Sequence, residues 1–188
     1  MAKKQKTNTV STVRRTIWFV IRAVLLVSLL LGLAYGVFTE GMYISNMYII
    51  VTEGMENRAD NVLKNTADSD LSQFFTEDFL NSDEMLLSSP YLDWAVDSFD
   101  YRYEIKGISV LPWAKTGSVK YVERIPSIVA TPISDEVTGS VPAWKSMLYR
   151  VSLVKVDGRW LISSLIVIEE SPEEEARPTP DYSQIEKD

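Results

Sequence analysis

Glu123 is the one carboxylate that keeps phase with an apolar strand face, that of Val119, Tyr121 and Ile125. A carboxyl carried into an interior in this way has a raised pKa and can exchange a proton as a general acid or base. The simpler reading leaves Glu123 in solvent at a strand end. Asp100 with Tyr101 and Tyr103 forms a second group that could line a pocket mouth, although tyrosines at alternate strand positions more often belong to a core. Asp93, Asp97, Asp100 and the run Glu173-Glu174-Glu175 could attract calcium, yet none has the alternating oxygen-ligand spacing of a calcium loop. Solvation accounts for these charges, and neither a metal nor a cofactor is expected.

The chain has no Cys and no His. That removes disulfides, thiolate nucleophiles, imidazole bases and the usual zinc ligands together, and with them most hydrolase chemistry. Charge is segregated as well. Six of the 19 basic residues and none of the 26 acidic ones precede residue 39, so the remainder carries a formal charge of −13. A domain of that charge is repelled by phosphate backbones and by anionic headgroups, which argues against nucleic acid and for proteins or cations as partners.

Length and periodicity place these residues on elements. The 188 residues allow one domain plus an anchor and tails. From Ile17 to Phe38 only Arg22 is strongly polar, and a helix of that length spans the hydrocarbon layer of roughly 30 Å. Arg22 is close enough to one end to snorkel, and Trp18 suits an interfacial position. The basic residues before the span and Glu40, Glu53 and Glu56 after it predict a cytoplasmic N-terminus and an outer domain. The alternative is a cleaved signal peptide ending at Ala34-Tyr35-Gly36, against which the apolar run is long. Ser28, Gly32 and Gly36 recur every four residues, a candidate seam for another helix, or merely the small residues common in membrane helices. The expected layout is a basic leader over residues 1–15, a transmembrane helix over 16–39, an extracytoplasmic α+β domain over 40–170 and a disordered acidic, Pro-rich tail over 171–188.

Within the domain, Ile44, Tyr48, Val51, Met55, Ala59 and Val62 predict an amphipathic helix reaching Lys64. Asp70 with Gln73 predicts a capped short helix that turns Leu71, Phe74 and Phe75 inward, extended by Phe79 and Leu80. Ser89-Pro90 predicts a second one carrying Tyr91, Trp94 and Ala95. Tyr101, Tyr103 and Ile105 start a strand whose phase slips at a bulge on Lys106-Gly107, and Val119, Tyr121 and Ile125 mark another between Gly117 and Pro126. Asp157-Gly158 joins Trp144 to Val156 with Arg159 to Ile168 as a type I′ hairpin. Counting from that turn sets Leu153 against Ile162, Val151 against Ser164, Tyr149 against Ile166 and Met147 against Ile168, with Trp160 in the core beneath Lys155. The opposite face then carries Leu148, Arg150, Val154, Leu161, Leu165 and Val167. It is too apolar for solvent, so the expectation is self-association with Arg150 as the specificity element, unless Ile128 to Val141 folds over it.

The order of helix, D-L-S-Q-F-F-T-E-D-F-L at Asp70 to Leu80, and curved antiparallel sheet closing with V-D-G-R-W-L-I at Val156 to Ile162 is similar to the nuclear-transport-factor-two-like (cystatin-like cone) superfamily over residues 44–169. The resemblance implies a long helix across a strongly bent sheet, with a pocket at the wide end. Proton-abstracting members resemble one another in setting Asp with His or Tyr there. This chain has no His, and no Asp–Tyr pair carries over by motif. With its single anchor, the layout also resembles the bitopic scaffold subunits of bacterial conjugation and type IV secretion machines, which implies an assembly protein of a bacterial envelope. The competing class is a tethered cone that binds a small ligand.

Overall fold

The computed structural model describes residues 8–65, 70–134 and 136–173. The leader before Asn8 and the tail beyond Glu173 lie outside the described residues. One helix, α1, runs unbroken from Asn8 to Lys64, about 85 Å at 1.5 Å per residue. Its N-terminal half is long and apolar enough to cross a membrane, with a best-window mean hydropathy of 2.5, and none of that window is buried in the protein. Arg22 lies over the Trp18 ring at 4.8 Å.

The helix's C-terminal half is the spine of an α+β domain. Met47, Val51, Met55, Ala59, Val62 and Leu63 are buried. Ile44 and Tyr48, expected in that stripe, are more than a third exposed, and Met47 with half-buried Tyr43 and Ile50 covers the sheet instead. Asn65, at a φ of 49°, stops the helix in the left-handed conformation that asparagine tolerates. Ser89, buried, donates from Oγ to the Val62 carbonyl at 2.6 Å and so satisfies one of the helix's last acceptors.

After α1 come a 3-10 turn at Leu71–Gln73, capped by Asp70, then α2 (Glu77–Leu80) and α3 (Glu84–Leu87), capped by Thr76 and Asp83. Phe75 stacks on Phe79 with centroids 4.8 Å apart, which roofs one end of the core. Ser89-Pro90 does not open a helix. Ser89 Oγ accepts from Tyr91 N in a turn, and Trp94–Phe99 extends as β1. Its partner is β4 (Ile128–Pro132), a small antiparallel sheet whose Val96, Phe99 and Ile128 close on Ala59, Val62 and Leu63 of α1. Ile128 to Pro132 is thus occupied with β1 instead of folding over the main sheet.

The main sheet is antiparallel in the order β2 (Arg102–Val110), β3 (Thr116–Arg124), β5 (Met147–Val156), β6 (Arg159–Glu170). Lys106 is the extra residue of a bulge between Ile105 and Gly107. Asp157 and Gly158 both have positive φ, 49° and 85°, as a type I′ turn requires. Leu153 pairs with Ile162 and Lys155 with Trp160. Past that point β6 departs from the simple count, because Ser163 and Ile168 have no opposite residue. Val151 therefore faces Leu165, Arg150 faces Ile166 and Tyr149 faces Val167. Each bulge shifts the side-chain phase, so Leu165 and Val167 join the inner face and Ile166 turns outward.

Candidate functional site

Arg58 belongs to the buried stripe of α1, three residues beyond Met55 and four before Val62. Its guanidinium reaches Asp83, the cap of α3, donating from Nε at 2.5 Å and from Nη2 at 3.0 Å. Asp83 also accepts the Met85 amide at 3.0 Å, so one carboxylate holds α3 and the spine together. Both side chains are almost sealed, 5% and 6% exposed. Burial works against the Arg58 charge, but the Asp83 hydrogen bonds and the nearby carboxylates outweigh it, and the pKa is raised. The group stays cationic. Its Nη1 has no hydrogen-bond partner.

Glu123 on β3 points to the same interior and is completely buried, contrary to the solvent reading of its position. One carboxyl oxygen accepts the Tyr101 hydroxyl at 3.2 Å, and that hydroxyl lies 2.9 Å from the Tyr121 hydroxyl. Among the described residues the other oxygen meets no donor in full hydrogen-bond geometry. Burial pushes the Glu123 pKa up, opposed by the Arg58 charge and by the Tyr101 and Trp144 side chains. Burial likewise raises Tyr101, Tyr121 and Tyr149, so all three stay neutral phenols.

The four expected pocket residues are not gathered around one cavity. Tyr101 and Glu123 meet, and Tyr103 stacks on Tyr121 at 5.7 Å. Tyr103 is 39% exposed, its hydroxyl 3.4 Å from that of Tyr48. Asp100 faces away and pairs with Arg102 at 2.6 Å. The cleft beside Arg58 lies elsewhere. It has a volume of about 380 Å³ and opens between the α2–α3 segment and β6, with Arg58, Asp83, Ser82, Tyr149, Ser163 and Leu165 among its walls. Glu123 does not line it. A completely buried acid tunes the stability of the fold through its ionisation.

Nor do the expected interface residues share one apolar face. Leu165 and Val167 line the cleft. Arg150 is exposed and directly opposite Lys120, a like-charge pair flanked across β3 and β5 by Ser118 and Ser152. Toward the sheet edge the same face carries Glu104 bonded to Lys106 and Arg124. Val154 and Leu161 sit opposite each other near the hairpin, and Leu148 is half-buried. The outer face is thus mixed, with Lys120, Arg150, Ser118 and Ser152 in its middle and buried Val122 and Leu161 toward its two ends. Ser28, Gly32 and Gly36 are on the uncovered part of α1, with open space at both glycines.

One apolar and uncovered stretch is the free edge of β6. Its first half is closed by the chain itself, since Ile162 N donates to Phe74 O at 2.7 Å and Thr76 N donates to Ile162 O at 2.9 Å. From Ser163 to Glu170 the strand pairs with β5 alone among the described residues. Ile166, Val167 and Ile168 are 52%, 48% and 43% exposed along that stretch. The sequence marked Leu165 and Val167 but missed Arg58 and Asp83, although Arg58 is at helical spacing within the apolar stripe. No family model and no curated protein matches the chain, so the reading of this site rests on its own geometry.

Proposed function

We propose that the protein is a single-pass, membrane-anchored interaction protein, with a cytoplasmic N-terminus, that takes an extended segment of a partner protein as an added strand on β6. The free apolar edge from Ser163 to Glu170 carries this reading. Uncovered edges invite pairing where charge, proline, bulges or a covering element do not blunt them, and between the bulges at Ser163 and Ile168 the stretch Leu165 to Val167 stays open. The partner would continue the edge that Phe74 to Thr76 begins, with alternate side chains directed into the cleft over Arg58 and Asp83. A helix laid along a bulged sheet supports the cone superfamily as the fold, and the apolar N-terminal half of α1 supports a membrane as the setting.

Self-association through this edge fits less well. β6 runs alongside α1, from Trp160 at Tyr43 to Ile162 at Gly54 and Leu165 by Arg58. Two copies anchored in one membrane are related by rotation about its normal, so their β6 strands would point the same way. Antiparallel pairing of the two is then excluded, and an extended segment of another protein is the better occupant. The proposal involves no reaction.

A photo-crosslinking residue at position 166 of the full-length protein in its native membrane tests this. A discrete adduct at 166, absent from position 129 on β4 and lost when Val167→Lys places a charge on the edge, is expected. No adduct at 166, or an equal one at 129, overturns it. An adduct of twice the chain's mass shifts the reading to a second copy.

The cleft itself favours a second reading, a small polar ligand held between the α2–α3 segment and the serine wall of β6 in the field of the Arg58 charge. A ligand-dependent rise in the unfolding midpoint of the full chain, abolished by Ser163→Leu, would select it.

A further inference from the structure

The β2–β3 connection carries the most exposed tryptophan among the described residues. Trp113 is 79% exposed and Leu111, two residues before it, is 54% exposed. An apolar pair that open on a protein's surface calls for an occupant. The loop is not a slack one. Ala114 N donates to Leu111 O at 2.9 Å, Lys155 N donates to Lys115 O at 2.8 Å, and Ala114 packs on the core. The tip is held in place with its side chains outward.

Its height above the membrane follows from α1. β3 climbs beside the helix, because Gly117 abuts the Met47 side chain while Ile125, just past the strand's end, packs with Ala59, Val62 and Leu63 further up. Met47 is nine residues above Phe38, the last residue of the apolar run, a rise of about 14 Å. From Gly117 the chain turns back toward the membrane, and Trp113 is four residues farther on. At about 3.3 Å per residue, with the turn at Pro112-Trp113, that descent is roughly 7–10 Å. The tip therefore stands about 4–7 Å above the end of the apolar run. The headgroup layer is about 5–7 Å thick on each side of the hydrocarbon. Indole rings favour that layer. The charges at this end also suit it, with Lys115, Lys155 and Arg159 against Asp157 and Glu40, in a domain that is otherwise strongly acidic.

We propose that Leu111 and Trp113 enter the outer headgroup layer of the membrane that α1 crosses, as a second contact that fixes the tilt of the domain on its stalk. The inference rests on the anchor reading of α1 and is independent of the β6 edge.

The absence of cysteine makes single labelling sites clean. The full-length protein is reconstituted in phosphatidylcholine–phosphatidylglycerol vesicles with an environment-sensitive fluorophore at Lys115→Cys, Leu30→Cys or Val129→Cys. Some vesicles carry a lipid-borne quencher. Emission from position 115 is expected to be blue-shifted and quenched, that from 129 water-like and unquenched, and Trp113→Ser should abolish the quenching at 115. Water-like, unquenched emission at 115 beside strong quenching at 30 overturns the proposal while leaving the anchor standing. Quenching at 115 that survives Trp113→Ser overturns the assignment to that side chain. No quenching at 30 overturns the anchor, and this inference with it.

Discussion

Tyr43 of α1 stands edge-on to Trp160 of β6, ring centroids 5.5 Å apart and planes at 77°, with the Lys155 ammonium donating to the Tyr43 hydroxyl at 2.9 Å. The ammonium lies 4.2 Å from the Tyr43 centroid and 5.9 Å from that of Trp160, so one cation bridges both rings. This contact fastens the hairpin to the lower end of the domain's helix. Trp160→Ala should therefore destabilise the domain by about 3–5 kcal/mol, the range for large buried aromatics. A denaturation midpoint unchanged by the substitution would show that the hairpin is not held there.

The Arg58–Asp83 pair makes a different prediction, because its cost depends on which partner remains. Asp83→Ala strands a buried guanidinium and should cost about 3–5 kcal/mol. Arg58→Met with Asp83→Leu removes both charges and should recover much of that loss, since apolar side chains of similar volume can replace a buried pair. Chemical denaturation of the two variants and the wild type gives the comparison. A double variant no more stable than Asp83→Ala would mean that the charges themselves organise α3.

Glu123 gives a pH signature. Its folded-state pKa is raised by burial, so the folded state binds its proton more tightly than the unfolded chain does. The resulting stability is fully present below the unfolded value near 4.3 and is lost as pH rises through the raised folded value. Glu123→Gln cannot titrate. The stability difference, variant minus wild type, should therefore grow in the variant's favour between pH 4 and pH 8. Unfolding midpoints measured across that range check it, and a constant difference would show that the acid is not held neutral.

Topology can be tested with the same cysteine-free background. With an impermeant thiol reagent on intact cells, Ser171→Cys should label and Lys6→Cys should not, since six basic residues and no acid precede residue 39. The reverse pattern would invert the protein.

Turn chemistry and period were the legible parts of the fold. Asp157-Gly158, the slip at Lys106-Gly107 and the end of the helix at Lys64 follow from local rules that few tertiary contacts can override. Bulges in a run without glycine were not legible. Ser163 and Ile168 are ordinary strand residues, and nothing in Ile162 to Ile168 announces that two of seven positions go unpaired. That one omission moved Leu165 and Val167 to the wrong face and made a mixed surface look more apolar than it is. Trp94 to Phe99 reads equally well as helix or strand, and its state depends on β4, which has no turn-joined neighbour to reveal it. Glu123 had the right phase, but what surrounds it comes from Tyr101, just before β2, and Trp144 some twenty residues on, and local spacing cannot supply either.

The unbroken α1 has a consequence for how the two ends of the molecule communicate. With no hinge between Phe38 and Met47, the azimuth of the domain about the membrane normal is fixed by the azimuth of the helix within the bilayer. One residue inserted near Thr39 would turn the whole domain by about 100° and lift it by about 1.5 Å, whereas seven would nearly restore the heading at a greater height. The β6 edge and the Trp113 tip are carried round together by any such turn. A neighbour that grips the helix inside the membrane thereby sets the compass bearing of everything the domain presents outside it.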